Sequence, residues 1–133
     1  MKEQKLLKAI DNNDFIKVKE LLGNNINISL FDNRNLLTYS PSLNLEIVKY
    51  LVKKGVDINS SSINGLTPLI WNIIHENWDV VEYLCVLGAD INRIDIYNKQ
   101  AKDYFENICK YNKIQDYDKI KKLLTNTELE FGD

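Results

Sequence analysis

The stretch that decides the fold is a segment that occurs twice. Residues 47–59 read IVKYLVKKGVDIN, and residues 80–92 read VVEYLCVLGADIN. Each position of the second segment lies 33 residues after its counterpart, and the Tyr, Leu, Gly, Asp, Ile and Asn positions coincide without a gap. A fixed period of this length predicts a chain built from stacked copies of one supersecondary unit.

Two weaker copies of the same segment flank the strong pair. Upstream, residues 18–22 (VKELL) lead into residues 25–27 (NIN), with two fewer residues before the final Asn. Downstream, residues 120–124 (IKKLL) match the start of the segment. The chain of 133 residues is therefore predicted to hold about four units.

Each unit is predicted to contain two helices. In the third unit, apolar residues recur at helical spacing in residues 69–74 and again in residues 80–87. The Thr-Pro pair at 67–68 is a helix start, and Gly88 suits a helix end because glycine adopts positive φ freely. The Asn-Gly pair at 64–65 predicts a tight turn between units. One such helix pair cannot bury its own apolar stripe, so we predict an all-α solenoid of stacked pairs.

The third unit resembles the ankyrin repeat. The resemblance rests on residues 65–70 (GLTPLI) followed by residues 88–92 (GADIN). The unit departs from the family pattern at Ile70, where the family has His, and at Asn72, where the family has a small Ala. The resemblance implies an ankyrin-repeat solenoid of about four stacked helix-turn-helix repeats joined by short hairpins.

We expect one ankyrin-repeat domain at 1–124, followed by an acidic tail at 125–133 that frays. The four repeats are expected at 1–28, 29–61, 62–94 and 95–124. The second repeat departs most from the pattern, because Asp32 replaces the turn glycine and Pro41 falls inside the first helix. Proline removes a backbone donor and clashes with the preceding turn, so Pro41 should shorten or kink that helix.

Composition excludes several classes of function. The net charge is −2 and only two residues are arginines, so the chain lacks the basic surface that nucleic-acid binding requires. The N-terminus has no apolar core of a signal peptide, and no apolar run is long enough to cross a membrane. Two isolated cysteines in an unexported chain are expected to stay reduced. These features predict a cytoplasmic protein.

The sequence contains no recognised motif for catalysis or metal binding. His75, Cys85 and Cys109 lie too far apart in sequence to form a recognised zinc motif, and no glycine pair forms a phosphate-binding loop. We interpret both cysteines as core residues and His75 as a surface residue. Asp57 and Asp90 are expected to accept hydrogen bonds within turns. The sequence therefore predicts no enzyme activity, no metal and no cofactor.

The aromatic residues of the helices have two possible roles. Trp71 and Trp78 fall where the ankyrin pattern has apolar packing residues, and Tyr50 and Tyr83 hold equivalent positions in the second helices. Packing within or between repeats is the favoured interpretation, and contact with a ligand is the alternative.

The resemblance also implies where a partner binds. Ankyrin arrays usually bind through the hairpin tips and the exposed ends of the first helices, which together form the concave face. Carried over to this sequence, that face comprises Leu30, Phe31, Asn33 and Ser42 in the second repeat, Ile63, Asn64, Leu66, Ile74 and His75 in the third, and Ile96, Tyr97 and Lys99 in the last.

Six of these hairpin positions are apolar or aromatic where a solvated turn would be polar. They form a predicted strip across three repeats: Leu30, Phe31, Ile63, Leu66, Ile96 and Tyr97. An exposed apolar strip of this kind marks an interaction site. The alternative is that these side chains fold back and cover the first helices. The sequence alone leaves both open.

The function that this sequence predicts is that of a non-catalytic protein–protein interaction module. Its partner is expected to be another protein, and the module would act as an inhibitor, an adaptor or a sequestering subunit. No nucleic acid, membrane or small-molecule substrate is expected. Alternatives are a bacterial immunity or antitoxin-like protein, a microbial or viral effector acting in the host cytosol, a small enzyme using His75, and a self-associating structural protein.

Overall fold

The computed structural model describes residues 2–23, 36–62 and 64–125. Regular structure in these residues is entirely helical, as the sequence predicts. The elements in chain order are α1 (Lys2–Asp11), α2 (Phe15–Gly23), a single 3-10 turn (Leu36–Thr38), α3 (Leu45–Lys53), α4 (Pro68–Ile74), α5 (Trp78–Val86), α6 (Ala101–Tyr111) and α7 (Tyr117–Thr125).

The helices pack as pairs that stack in two rows. Helix α1 packs against α2, α4 against α5, and α6 against α7. The second helices α2, α3, α5 and α7 contact one another in order, while α4 contacts both the 3-10 turn and α6. Each pair therefore buries its apolar stripe against its neighbours, which confirms the predicted all-α solenoid.

The third repeat has neighbours on both sides, since α4 contacts both the 3-10 turn and α6, and its core is almost fully buried. In α4, Leu69, Ile70 and Ile73 are at most 1% exposed, and in α5 Val80 and Leu84 are fully buried. Ile70 stands where the family pattern has His, and its burial shows that an apolar side chain fills that position here.

The predicted helix boundaries of the third repeat are confirmed. Thr67 caps α4, because its Oγ1 accepts a hydrogen bond from the backbone N–H of Ile70 at 3.2 Å, and Pro68 is the first helical residue. Gly88 follows α5 with a φ of +90°, a conformation that glycine adopts without a steric penalty. The start and stop signals therefore act locally, as their positions in the sequence indicate.

The loop aspartates have the predicted turn role. The backbone N–H of Asn59 donates to Asp57 Oδ1 at 2.8 Å, and that of Asn92 donates to Asp90 Oδ1 at 3.0 Å. The backbone N–H of Asp90 also donates to Asn59 Oδ1 at 2.8 Å, which connects the two equivalent loops. Asp57 and Asp90 therefore each stabilise their own loop, and the side chain of Asn59 joins the two neighbouring repeats.

The first helix of the second repeat is reduced to one 3-10 turn. Leu36–Thr38 forms that turn, and the chain leaves it through Ser40 and Pro41, so the predicted shortening by proline is correct. A helix that ends this early leaves backbone carbonyl groups without intrahelical donors.

Side chains of the third repeat donate hydrogen bonds to backbone carbonyls in and just after this turn. Trp71 Nε1 donates to the carbonyl of Ser40 at 2.9 Å, and Asn77 Nδ2 donates to the carbonyl of Pro41 at 3.1 Å. Asn72, fully buried, places Nδ2 3.4 Å from the carbonyl oxygen of Leu37 and accepts from Asn77 Nδ2 at 2.9 Å. Asn72 therefore has a structural reason to replace the small family residue, because it bonds to the repeat before it.

The structure tests the predicted start of the C-terminal tail. The predicted tail begins at Thr125, but Thr125 is the last residue of α7, where its Oγ1 donates to the carbonyl of Lys121 at 2.8 Å. The substitution of the turn glycine by Asp32 falls outside the described residues. Within the described part of the chain, no helix has the length and apolar content needed to cross a bilayer.

Candidate partner-binding face

The best-defined part of the predicted face is the hairpin at 95–99, which is organised around one buried carboxylate. Asp95 is 6% exposed. Its Oδ1 accepts from the backbone N–H groups of Tyr97 at 2.8 Å and Lys99 at 3.1 Å, and its Oδ2 accepts from Tyr104 Oη. The hairpin is closed by a bond from the Asp95 N–H to the Lys99 carbonyl at 3.0 Å. One side chain thus fixes both the turn and its attachment to α6.

The pKa values of Asp95 and Tyr104 are consistent with the hydrogen bond between them. Burial raises the pKa of Asp95, but the hydrogen bonds from Tyr104, Lys99 and Tyr97 outweigh burial, so the pKa lies below its ordinary value of 3.8. Burial and the hydrogen bond to Asp95 together raise the pKa of Tyr104 to about 12. Asp95 is therefore ionised and Tyr104 is neutral over the physiological range, which is the pairing that the hydrogen bond requires.

The hydrogen bonds that Asp95 accepts should make the stability of the chain depend on pH in the acidic range. Because the folded-state pKa of Asp95 is lowered, its contribution to stability is present above the unfolded value of 3.8 and is lost as the pH falls through the folded value. We expect Asp95→Asn to be less stable than the native chain at neutral pH, with the difference in unfolding free energy shrinking below pH 3.8. Urea titrations of both proteins across this range measure it, and a difference that stays constant with pH would contradict the assignment.

Hairpin 95–99 is joined to the equivalent hairpin of the preceding repeat. The backbone N–H of Ile96 donates to the carbonyl of Asn64 at 3.2 Å. Gly65 lies directly beneath this contact with a φ of +79°, and a Cβ at that position would lie 3.0 Å from the Cα of Asp95. Glycine at 65 therefore serves both the turn, as predicted from the Asn-Gly pair, and the close approach of the next hairpin.

The predicted apolar strip divides into a packed part and an exposed part. Leu66 is half-buried and packs against the core, as does Ile74 on α4. Ile96 and Tyr97 are 60% and 67% exposed. The packing alternative thus describes Leu66, whereas Ile96 and Tyr97 project from the hairpin. Leu30, Phe31, Asn33 and Ile63, which complete the prediction, lie outside the described residues.

One of the helix-end positions of the predicted face, His75, contacts Trp71. His75 ends α4 and is half-buried, with its ring centroid 4.5 Å from that of Trp71. Burial lowers the pKa of His75, so its ring is neutral at neutral pH. Ser42 is exposed and lies close by in the chain to Ser40, the residue that bonds to Trp71.

The two remaining polar positions of the face are exposed. Asn64 presents its side chain at the tip of its hairpin while its carbonyl bonds to Ile96. Lys99 is exposed at the base of hairpin 95–99, with its ammonium group 5.6 Å from the ring centroid of Tyr104. Among the predicted positions, the structure joins Asn64 and Ile96, which belong to adjacent hairpins, through a backbone hydrogen bond.

Comparison with known proteins identifies the architecture. A family model described as ankyrin repeats, in three copies, matches residues 6–95. The chain belongs to the ankyrin-repeat family. The resemblance drawn from the sequence is thereby confirmed, and at this level the function follows, since ankyrin repeats generally mediate protein–protein interaction.

Several longer proteins contain a segment similar to this chain. An ankyrin repeat protein of fowlpox virus (strain NVSL) is 33% identical over 99 residues, which are 72% of this chain and 20% of the viral protein. A rice (Oryza sativa subsp. japonica) protein named Probable E3 ubiquitin-protein ligase XBOS32 is 31% identical over 107 residues, or 77% of this chain and 22% of that protein. The Arabidopsis thaliana potassium channel AKT1 is 32% identical over 63 residues, covering 47% of this chain and 7% of the channel. The chain spans about a fifth or less of these relatives.

Three residues at hairpin 95–99 were not predicted from the sequence. Asp95 and Tyr104 are hydrogen-bonded to each other and attach the hairpin to α6. Ile94 is a further exposed apolar residue beside the hairpin. The signal for Asp95 was available, because an Asp at the first position of a turn commonly accepts a bond from the residue two positions on. Nothing local marks Tyr104 as its partner, because the ankyrin pattern alone assigns no contact to that position.

The groups considered from the sequence for metal binding or nucleophilic chemistry are the histidine and the two cysteines. The described residues contain no cluster of His, Cys, Asp and Glu side chains that could hold a metal ion. Both cysteines are half-buried and packed against the core. Burial, followed by the negative charges of Glu106 and Glu76, raises the pKa of Cys109, which disfavours the thiolate that a nucleophile needs.

A shallow groove lies on the other row of helices, between α3 and α5. Its volume is about 270 Å³, and it is open to solvent along its length. It contains two carboxylates, Asp79 and Glu82, but Asp79 accepts from the backbone N–H of Val80, and Glu82 forms an ion pair with Lys119. These carboxylates therefore have structural partners, and the groove includes none of the predicted binding residues.

Proposed function

We propose that this ankyrin-repeat chain is a non-catalytic module that binds another protein through the face described above. The binding face is defined by the exposed hairpin residues Asn64, Ile96, Tyr97 and Lys99 together with Ser42, Ile74 and His75. In this proposal the module acts in the cytoplasm as an inhibitor, an adaptor or a sequestering subunit of its partner.

The observation that carries the proposal is the exposure of Ile96 and Tyr97 on a fixed backbone. Monomeric proteins rarely display adjacent large apolar side chains at a loop tip without a use for them. The Asp95 bonds order the hairpin in the free chain, so less conformational entropy is lost when it docks. A rigid aromatic side chain is also the kind of anchor that dominates binding energy at protein interfaces.

The experiment combines a binding variant with a matched control. We expect Ile96→Ala combined with Tyr97→Ala to weaken partner binding by at least about tenfold, which corresponds to about 1.4 kcal/mol, while the melting temperature stays nearly unchanged. Ile16→Ala is the control, because Ile16 is 72% exposed on α2, in the row of second helices. A photo-crosslinking amino acid placed at 97, and separately at 16, identifies the partner from extracts of the source cells.

The outcomes separate binding from packing. Crosslinking at 97 but not at 16, with a selective loss of affinity in the double variant, supports the proposal. A double variant that loses melting temperature in proportion to its affinity would instead assign Ile96 and Tyr97 to packing. Equal crosslinking at both positions would contradict the assignment of the face.

A further inference from the structure

Asn64 and Gly65 form the single Asn-Gly pair of the sequence, and the pair lies in a turn where the Asn64 side chain is exposed. The backbone nitrogen that follows an asparagine attacks the side-chain amide most easily when it belongs to glycine, because no side chain then hinders the approach. Among the described residues, none forms a hydrogen bond with the Asn64 amide. The amide of Asn64 is therefore accessible to a reaction that needs only water.

The reaction has two steps. First, the Gly65 nitrogen loses its proton to hydroxide and bonds to Cγ of Asn64. The Cγ–Nδ2 bond breaks, and Nδ2 takes a proton from water and leaves as ammonia, which returns the hydroxide and leaves a five-membered succinimide ring. Second, water opens the ring either at Cγ, which gives aspartate, or at the backbone carbonyl carbon, which gives isoaspartate. The main chain of isoaspartate runs through Cβ and Cγ and is longer by one carbon.

Three backbone hydrogen bonds hold the turn in which Asn64 lies. The N–H of Gly65, the attacking group, donates to the carbonyl of Ser62 at 2.9 Å. The N–H of Ser62 donates to the carbonyl of Leu66 at 2.9 Å, and the N–H of Ile96 donates to the carbonyl of Asn64 at 3.2 Å. The Asn64 carbonyl and the Gly65 nitrogen belong to one planar peptide unit, so rotation of that nitrogen toward Cγ moves both groups. The turn must therefore open locally before Asn64 reacts.

The isoaspartyl product does not fit the connection between the two hairpins. The backbone of hairpin 95–99 lies so close that a Cβ on Gly65 would be 3.0 Å from the Cα of Asp95 and 3.2 Å from the nitrogen of Ile96. An additional main-chain carbon next to Gly65 must therefore displace one hairpin relative to the other. It also moves the carbonyl that accepts the Ile96 N–H. The aspartyl product, in contrast, keeps the main chain and adds only a negative charge.

We propose that Asn64 is a site of spontaneous modification, and that its conversion to isoaspartate separates hairpin 95–99 from the hairpin at 62–66. The conversion takes water as its only co-reactant and proceeds when the turn opens. Because Ile96 belongs to the proposed binding face, conversion to isoaspartate would also weaken partner binding. That consequence rests on the proposed function, whereas the modification itself does not.

Mass spectrometry of the incubated native chain tests the site. We expect Asn64 to convert from amide to acid at mildly alkaline pH, and to convert faster as the pH rises, because the Gly65 nitrogen must lose its proton. The urea-unfolded chain is the reference. The native chain should react about 10- to 1000-fold more slowly, since two or three hydrogen bonds must break. Asn98, in the equivalent hairpin but followed by Lys99, is the internal control and should convert far more slowly than Asn64.

Hydrogen exchange at the Ile96 N–H tests the structural consequence. We expect this N–H to lose protection by about tenfold or more in the purified isoaspartyl form. Asn64→Asp is the matched control, because it adds the charge without the extra carbon and should keep the protection. Asn64→Gln should also keep it and should stay unmodified, because the longer side chain would have to form a six-membered ring, which closes more slowly.

Two results would overturn the site: an Asn64 that stays intact in the native chain beyond about a thousand half-lives of the unfolded reference, or one that converts no faster than Asn98. Conversion at the same rate in native and unfolded chains would contradict the control by the turn. An isoaspartyl form in which the Ile96 N–H is as protected as in Asn64→Asp would overturn the separation of the hairpins. None of these results bears on the binding face, which crosslinking at position 97 tests independently.

Discussion

Replacing Leu84 with Ala is expected to lower the free energy of unfolding by about 2–5 kcal/mol. Leu84 lies on α5 with no exposed surface, in a repeat that has a neighbouring repeat on each side. The truncation removes buried apolar surface and leaves a cavity that close-packed neighbours fill only partly. Since domains of this size are stable by about 5–15 kcal/mol, the loss is a large fraction of the total.

Urea unfolding followed by circular dichroism measures this effect. Val86→Ala is the matched control, because Val86 is on the same helix and 75% exposed, and it should change stability by less than about 0.5 kcal/mol. If Leu84→Ala and Val86→Ala shifted the midpoint equally, the register of α5 against the stack would be wrong.

Phe105→Ala is expected to destabilise the chain by about 3–5 kcal/mol, with the loss concentrated in the last repeat. Phe105 on α6 is 1% exposed. Its ring meets the edge of Trp78 at a centroid distance of 5.7 Å and stacks on Tyr117 at 5.4 Å. One side chain thus connects α6 both to α7 and to the preceding repeat, so its removal weakens the last repeat internally and at its junction.

Because repeat proteins are stabilised by contacts between neighbours, the weakened repeat should open before the rest. Hydrogen exchange is expected to show lost protection in α6 and α7 while α4 and α5 keep theirs. Tyr111→Ala, at a mostly exposed aromatic position on the same helix, provides the control. Uniform loss of protection across all helices would show that the chain unfolds as one cooperative unit instead.

The fold was predictable to the extent that its signals are local. The cap at Thr67, the stop at Gly88 and the turn at 64–65 depend on neighbours within a few residues, and the repeat supplied the rest. The bonds from Trp71 and Asn77 to the shortened helix were not predictable, because they join residues 31 and 36 positions apart. Asn72 looked like a departure from the pattern, and only the early end of the neighbouring helix explains it.

The sequence could not predict which apolar residues of the hairpins are exposed. Leu66 and Tyr97 are both apolar residues in hairpins, and the sequence treats them alike. Leu66 is half-buried against the core, whereas Tyr97 lies at the outer edge of the stack. Which apolar residue becomes available is set by what packs against it in three dimensions, and that depends on its place in the stack.

The two tryptophans give this chain a pair of built-in optical probes. Trp71 lies at the junction with the second repeat, through its bond to Ser40, and Trp78 lies at the junction with the last repeat, against Phe105. Variants that keep only one indole would therefore emit from one junction at a time. The order in which the two junctions separate on heating could be followed by fluorescence alone, without any attached dye.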